Sequence, residues 1–119
     1  MEEQKKIYEL QAEFCKFMAN AKRIEILCLL GNREMCVDEL ATAMGVNVPN
    51  ISQHLGVMRE KGVVESRREG TKIYYRLASS KTLQACVLVR EAMVEQMAKQ
   101  YHVVRSSAQQ SPDMGEADA

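Results

Sequence analysis

The sequence predicts a mainly helical domain of order α-α-α-α-β-β-α, in which a helix-turn-helix carries a β-hairpin wing. Three observations predict it. Apolar residues recur at three- and four-residue steps as far as Met58. Between Val63 and Leu77 the period then drops to about two, the spacing of a strand. A last stripe of helical period closes the pattern from Leu83 to Tyr101. At 119 residues the chain holds one modest core.

The elements follow in order. Ile7, Leu10, Phe14, Phe17 and Met18 make one face of a first amphipathic helix. After a break at Ala19-Asn20, a second helix carries Ile24, Leu27, Cys28 and Leu30, and Gly31-Asn32 ends it. Val37, Leu40, Ala41 and Met44 mark a short third helix closed by Gly45. Asn47 suits an N-cap and Pro49 a first turn, where its missing N–H costs little. Ile51, Leu55 and Met58 form the buried face of the fourth helix, which stops at Gly62. Two short helices joined through a glycine turn are a helix-turn-helix.

In the β stretch, Ile73, Tyr75 and Leu77 share one face, and Tyr74 and Arg76 the other. Glu69-Gly70 supplies the turn of a hairpin whose tip carries Arg67, Arg68 and Lys72. An isolated hairpin is barely stable in water, so this one must pack on the helices. Ser79 or Ser80 caps the long last helix, with Leu83, Val87, Arg90, Val94, Met97 and Tyr101 along its stripe. That surface exceeds what a small core can use. The excess predicts a homodimer through Leu83, Val87, Val94 and Met97, together with the first helix. Residues 1–104 are thus expected to form the domain, and the aperiodic segment 105–119 a disordered tail.

Net charge is zero, but Pro49 to Leu77 holds six basic residues against three acidic ones. A locally basic segment in a neutral chain fits a specific DNA footprint rather than a polycation. No apolar run approaches the ~20 residues of a membrane span, and Met1 to Lys6 lacks a signal-peptide pattern. A cytoplasmic location is expected, with Cys15, Cys28, Cys36 and Cys86 reduced. Their scatter excludes a zinc ribbon and leaves open a site assembled by folding.

The motifs Met18-Ala-Asn-Ala-Lys-Arg-Ile-Glu-Ile-Leu27, Glu34-Met-Cys-Val-Asp-Glu-Leu40, Asn50-Ile-Ser-Gln-His-Leu55, Lys61-Gly-Val-Val64 and Arg68-Glu-Gly-Thr-Lys-Ile-Tyr-Tyr-Arg76 stand in an order that resembles the ArsR/SmtB repressors. The likeness spans roughly residues 10 to 100. It implies a dimeric winged helix-turn-helix repressor of double-stranded DNA, bound to an inverted repeat. With Ile51, Leu55 and Met58 inward, Asn50, Ser52, Gln53 and Gly56 lie outward or on the flank, where a recognition helix meets the major groove. Asn and Gln can pair bidentately with adenine, and Ser serves either partner. His54 is read as a packed or phosphate-contacting side chain rather than a metal ligand. Arg67, Arg68 and Lys72 are expected at phosphates or in the minor groove.

The same resemblance frames the ligand. Cys36 matches the first cysteine of the family's arsenic box, and Asp38 replaces the second, breaking the thiolate pair a metalloid prefers. At the zinc positions of the closing helix stand Ser79, Lys81, Ala92 and Glu95, of which only the glutamate fits. Cys28 matches the first thiol of the persulfide- and oxidant-sensing branch. The second would fall at Val94, and Cys86 lies eight residues earlier, ~12 Å along a helix. Soft metal or metalloid binding at thiolates, thiol redox chemistry, and purely structural cysteines all stay open. No enzyme is expected from two histidines, no nucleophile elbow, no phosphate loop and no recognisable carboxylate pair. A winged helix that binds protein is the rival reading, against which Asn50, Gln53 and the basic hairpin argue.

Overall fold

The computed structural model describes residues 2–99. Among these residues, five helices and three strands follow one another as α1 (Glu2–Met18), α2 (Ala21–Leu30), β1 (Met35–Cys36), α3 (Val37–Met44), α4 (Val48–Glu60), β2 (Val64–Glu69), β3 (Lys72–Leu77) and α5 (Ser80–Met97). The tail at 105–119 and Tyr101 of the closing stripe lie outside the described residues.

Local chemistry sets the boundaries. The Asn20 side chain accepts from the Lys22 and Arg23 backbone N–H groups at 3.1 and 3.2 Å, satisfying two donors that no helical turn can reach. Asn47 does the same for Asn50 N–H at 2.9 Å, and Ser79 for Lys81 N–H at 3.2 Å. Between α3 and α4 the chain turns at Gly45, whose φ of 67° would strain a residue bearing a Cβ. The hairpin turns at Gly70, with Glu69 opposite Lys72.

One element departs from expectation. Met35–Cys36 is a two-residue strand, antiparallel to β3, so the sheet has three strands in the order β1-β3-β2. Both residues are buried, and Met35 lies opposite the buried Tyr75. The hairpin is therefore stitched to the start of α3 by backbone pairing as well as by packing.

The core is formed by α2, α3, α4 and the sheet. Ile26, Leu27, Leu30, Leu40, Ile51, Leu55, Met58 and Val64 are fully enclosed, each contributing ~1.5–3 kcal/mol of burial. On α2 the stripe is rotated from expectation: Ile26 is enclosed, whereas Ile24 and Cys28 are half-buried. From α1 only Met18 is buried, and from α5 only Leu83.

Leu83 needs a correction. The apolar stripe of the last helix placed it in a dimer interface, but it is 3% exposed within a single chain and belongs to the core. Val87 packs on that core as well, and Val94 and Met97 are half-buried. The apolar residues that α5 exposes are Leu88, Val89 and Met93.

Candidate nucleic-acid interface

Because α4 buries Ile51, Leu55 and Met58 against the core, the opposite face must look outward. Gln53 and Gly56 are exposed there, beside Pro49, and Ser52 is exposed on the flank. A Cβ added at Gly56 would meet nothing within 4 Å, so packing in the chain does not demand glycine here. Asn50 differs from its neighbours. It is half-buried, and among the described residues its Oδ1 is the single shielded side-chain polar atom without a hydrogen-bond partner.

One flank of α4 faces the hairpin. Arg59 Nη1 donates to Ser66 Oγ at 3.2 Å. In the ladder Ser66 pairs with Tyr75 and Arg68 with Ile73, so Arg68 leaves β2 on the face turned toward the helices, near the tip with Lys72. Both are exposed. Arg67 points the other way. Its Nε donates to both carboxylate oxygens of Glu34, at 2.8 and 3.0 Å. Its Nη1 lies 3.3 Å from Glu69 Oε2, and its guanidinium stacks 4.8 Å from the Tyr74 ring centroid. The Arg67 guanidinium, in turn, holds the Glu34 carboxyl below the usual carboxylate range. Adjacent arginines on a strand thus serve different faces.

The other flank of α4 meets the α1–α2 corner. Arg23 Nε donates to His54 Nδ1 at 3.3 Å, and Arg23 Nη1 to the Phe17 carbonyl at 2.8 Å. The Phe17 ring lies 4.4 Å from the Arg23 guanidinium and 5.8 Å from the Lys61 ammonium. Burial, then the charges of Arg23 and Lys22, push the His54 imidazole below its usual pKa. Sequence reasoning missed Lys22 and Arg23 as neighbours of the recognition helix, and Arg59 as that helix's link to the hairpin. The tandem Lys22-Arg23 was a signal, but no local pattern reveals that α2 starts beside His54.

The four cysteines separate into two regions. Cys36 is 4% exposed in β1, and its backbone N–H donates to Glu39 Oε1 at 2.9 Å, closing the start of α3. The thiolate pair of the metalloid box does not fit this arrangement, since position 38 offers an exposed aspartate and Cys36 is sealed. Cys28 on α2 accepts from Arg90 Nη2 at 3.6 Å. Arg90 lies one turn beyond Cys86 on the same face of α5. Burial pushes the Cys86 thiol up, charges on Cys28 and Cys15 add to this, and Arg90 opposes it. Cys15 is exposed on α1. Among the described residues, no group of three or more His, Cys, Asp or Glu side chains is gathered as metal ligands would be. Nor is any helix there long and apolar enough to cross a membrane.

A helix-turn-helix with an exposed second helix, backed by a three-stranded sheet whose hairpin carries basic residues, defines a winged-helix module. Residues 20–66 match the profile of the bacterial regulatory proteins of the arsR family. The chain is 35% identical over 103 residues to the HTH-type regulator Rv0081 of Mycobacterium tuberculosis, covering 86% of this chain and 90% of that one. The crystal structure of Rv0081 gives a TM-score of 0.71 at 36% identity, over 79% of this chain and 95% of that chain. The homodimeric winged helix-turn-helix DNA-binding domain Mb0332 of Mycobacterium bovis also gives 0.71, at 33% identity, over 86% and 94%. The arsenical resistance operon repressor of Escherichia coli is 33% identical over 86% of this chain and 88% of its own. Against the longer regulator Rv0324 the match is 40% identical over 70% of this chain but spans only 37% of that protein. The chain belongs to the ArsR family. It is a transcriptional regulator and not an enzyme.

Proposed function

We propose that this chain is a cytoplasmic repressor that binds an inverted-repeat operator as a homodimer and leaves it on a thiol-dependent signal. The observation that carries the DNA reading is that Gln53 and Gly56 on the outward face of α4 and Ser52 on its flank lie uncovered, as do Arg68 and Lys72 on the hairpin. Gln53 and Ser52 are assigned to base edges, Gly56 to close approach, and Arg68 and Lys72 to the backbone. Asn50 joins them by rotating its unpartnered amide outward, which relieves a shielded atom worth ~1–3 kcal/mol and gains a base contact. Arg67, held on both edges by carboxylates, anchors the wing to the Glu34 segment. The dimer is assigned to α1 and α5, whose Ile7, Leu10, Phe14, Leu88, Val89 and Met93 are exposed. That Mb0332 is a homodimer supports this.

For release, three of the four thiols are favoured. Burial and then the neighbouring Cys28 raise the Cys86 thiol, Cys15 adds to this, and the three residues belong to the helices assigned to the dimer and to α2 beneath them. A soft ion bound there, or oxidation or persulfidation, would alter how these helices sit and so the spacing of the recognition helices. Cys36, sealed and tied into the α3 cap, is assigned a structural role.

Selection of duplexes from a random library tests the DNA reading: an inverted repeat is expected, and recovery of no such repeat rejects it. Binding to the selected operator is then measured with arsenite, cadmium, zinc, polysulfide or peroxide, for wild type and each Cys→Ser variant. Loss of response in Cys28→Ser or Cys86→Ser but not Cys36→Ser is the expected pattern. A full response in the variant lacking all four cysteines rejects thiol sensing.

A further inference from the structure

We propose that the α1–α2 corner is a second backbone-binding arm, in which Lys22 and His54 hold DNA phosphates on the side of α4 opposite the hairpin, with Arg23 positioning His54. This rests on the DNA reading above and extends it to residues outside the recognition helix's outward face and the wing.

At ~100° per residue around α4, the side chains sort into an inward row and two flanks. Ser52 and Arg59 fall on one flank, and the Arg59–Ser66 hydrogen bond shows that it faces the hairpin. Asn50, His54 and Lys61 fall on the other, and the contacts of His54 with Arg23 and of Lys61 with Phe17 show that it faces the corner. A helix ~10–12 Å across in a major groove ~12 Å wide runs between two phosphate ridges. The hairpin can serve one ridge. The structure puts a second basic element where the other must pass.

The groups at the corner suit phosphate oxygens. Lys22 is exposed, and no carboxylate among the described residues lies within ion-pair distance of Lys22, Arg23 or Lys61. Arg23 is committed to the Phe17 carbonyl, the Phe17 ring and His54. Those contacts make it a rigid positioning residue. By donating to Nδ1 it requires the proton of a neutral imidazole to sit on Nε2. Nε2–H then lies on the ring edge away from the Arg23 bond, has no partner among the described residues, and is a fixed donor on this flank of α4. An Arg–His strut serving only stability would not need Lys22 or a free Nε2–H.

The test uses the full chain, the selected operator and a random duplex of equal length, titrated across a salt series. For Lys22→Ala, affinity for both duplexes is expected to fall together, by on the order of tenfold. The slope of log K against log salt should become shallower by about two per dimer, one phosphate contact being lost from each protomer. Lys22→Arg should restore both. His54→Ala should weaken both duplexes without changing the slope, because a neutral donor displaces no counterion. Ethylation interference should show the affected phosphates on one side of each half-site. Wild-type affinity and slope in Lys22→Ala would overturn the arm, as would a loss confined to the operator. Since the Lys22 side chain is exposed and makes no hydrogen bond or ion pair among the described residues, that variant decides the matter even if His54→Ala unfolds. Should wild type bind neither duplex, the DNA reading itself falls, and the arm with it.

Discussion

From Ile26 to Val64 eight large side chains are completely enclosed by their own chain. Over its seventeen residues α1 encloses only Met18, and α5 over eighteen only Leu83. Of the eight large apolar side chains exposed among the described residues, seven lie on these two terminal helices: Ile7, Tyr8, Leu10, Phe14, Leu88, Val89 and Met93. The inner elements can satisfy the hydrophobic effect alone, whereas the outer pair cannot. The difference separates two jobs. The inner region must hold α4 and the hairpin in fixed relation. The outer pair has apolar surface left over, which is why the proposed dimer is assigned to it, and a change in assembly there would leave the inner region folded.

The sharpest way to break the contrast is to hollow out the inner region. Leu55→Ala removes an enclosed side chain at the centre of α4, and a loss of ~2–5 kcal/mol is expected, read as a lower urea midpoint. The paired variant Leu88→Ser, Val89→Ser touches side chains exposed by 65% and 67% and should leave each chain folded by circular dichroism. Sedimentation should instead move it to the monomer. Operator affinity should drop by about a hundredfold or more as the half-sites lose their link. If this variant stays dimeric, the interface lies elsewhere.

How much of this contrast was legible beforehand depends on distance along the chain. The cap at Asn47 and the inward row of α4 follow from residues within one or two turns, as does a serine cap on the last helix, which the structure narrows from Ser79 or Ser80 to Ser79. A stripe on a helix says that a surface is apolar but not which chain covers it, so the stripe alone does not distinguish Leu83, which the fold buries in the core, from the exposed Leu88. The strand at Met35–Cys36 is too short to show a period. Arg67 and Arg68 read alike as a basic tip, because the carboxylate that claims Arg67 is Glu34, 33 residues away. Likewise, nothing near His54 announces Arg23, 31 residues distant. Local chemistry was readable, and pairings made by the fold were not.

A smaller effect separates the reader's local and global supports. Asn47→Ala removes the side-chain acceptor for Asn50 N–H and should cost ~1 kcal/mol. Because Asn50 opens the recognition helix, amide exchange should speed up in the first turn of α4 more than in α2. Uniform acceleration across both would mean that the inner region unfolds only as a unit.

The smallest expected effect concerns the joint between the two regions, where α1 ends and α2 begins against α4. In the folded chain His54 is held below its usual pKa, first by burial and then by Arg23 and Lys22. The unfolded chain therefore binds a proton at this site more readily than the folded one. Stability contributed by the neutral imidazole is present above the unfolded histidine pKa of about 6.5 and is lost as pH falls through it toward the lower folded value. Protonation would also cancel the Nδ1 acceptor on which Arg23 depends. Wild type should thus lose stability between about pH 7 and pH 5, and His54→Gln, which keeps an acceptor but does not titrate, should lose less over the same window. The carboxylates Glu34 and Glu39, also held low, titrate further down and should affect both proteins alike. The difference between the two urea-midpoint curves isolates the histidine. Parallel curves would mean that the joint does not feel the charge of His54, and the Arg23 contact would then be incidental to the fold.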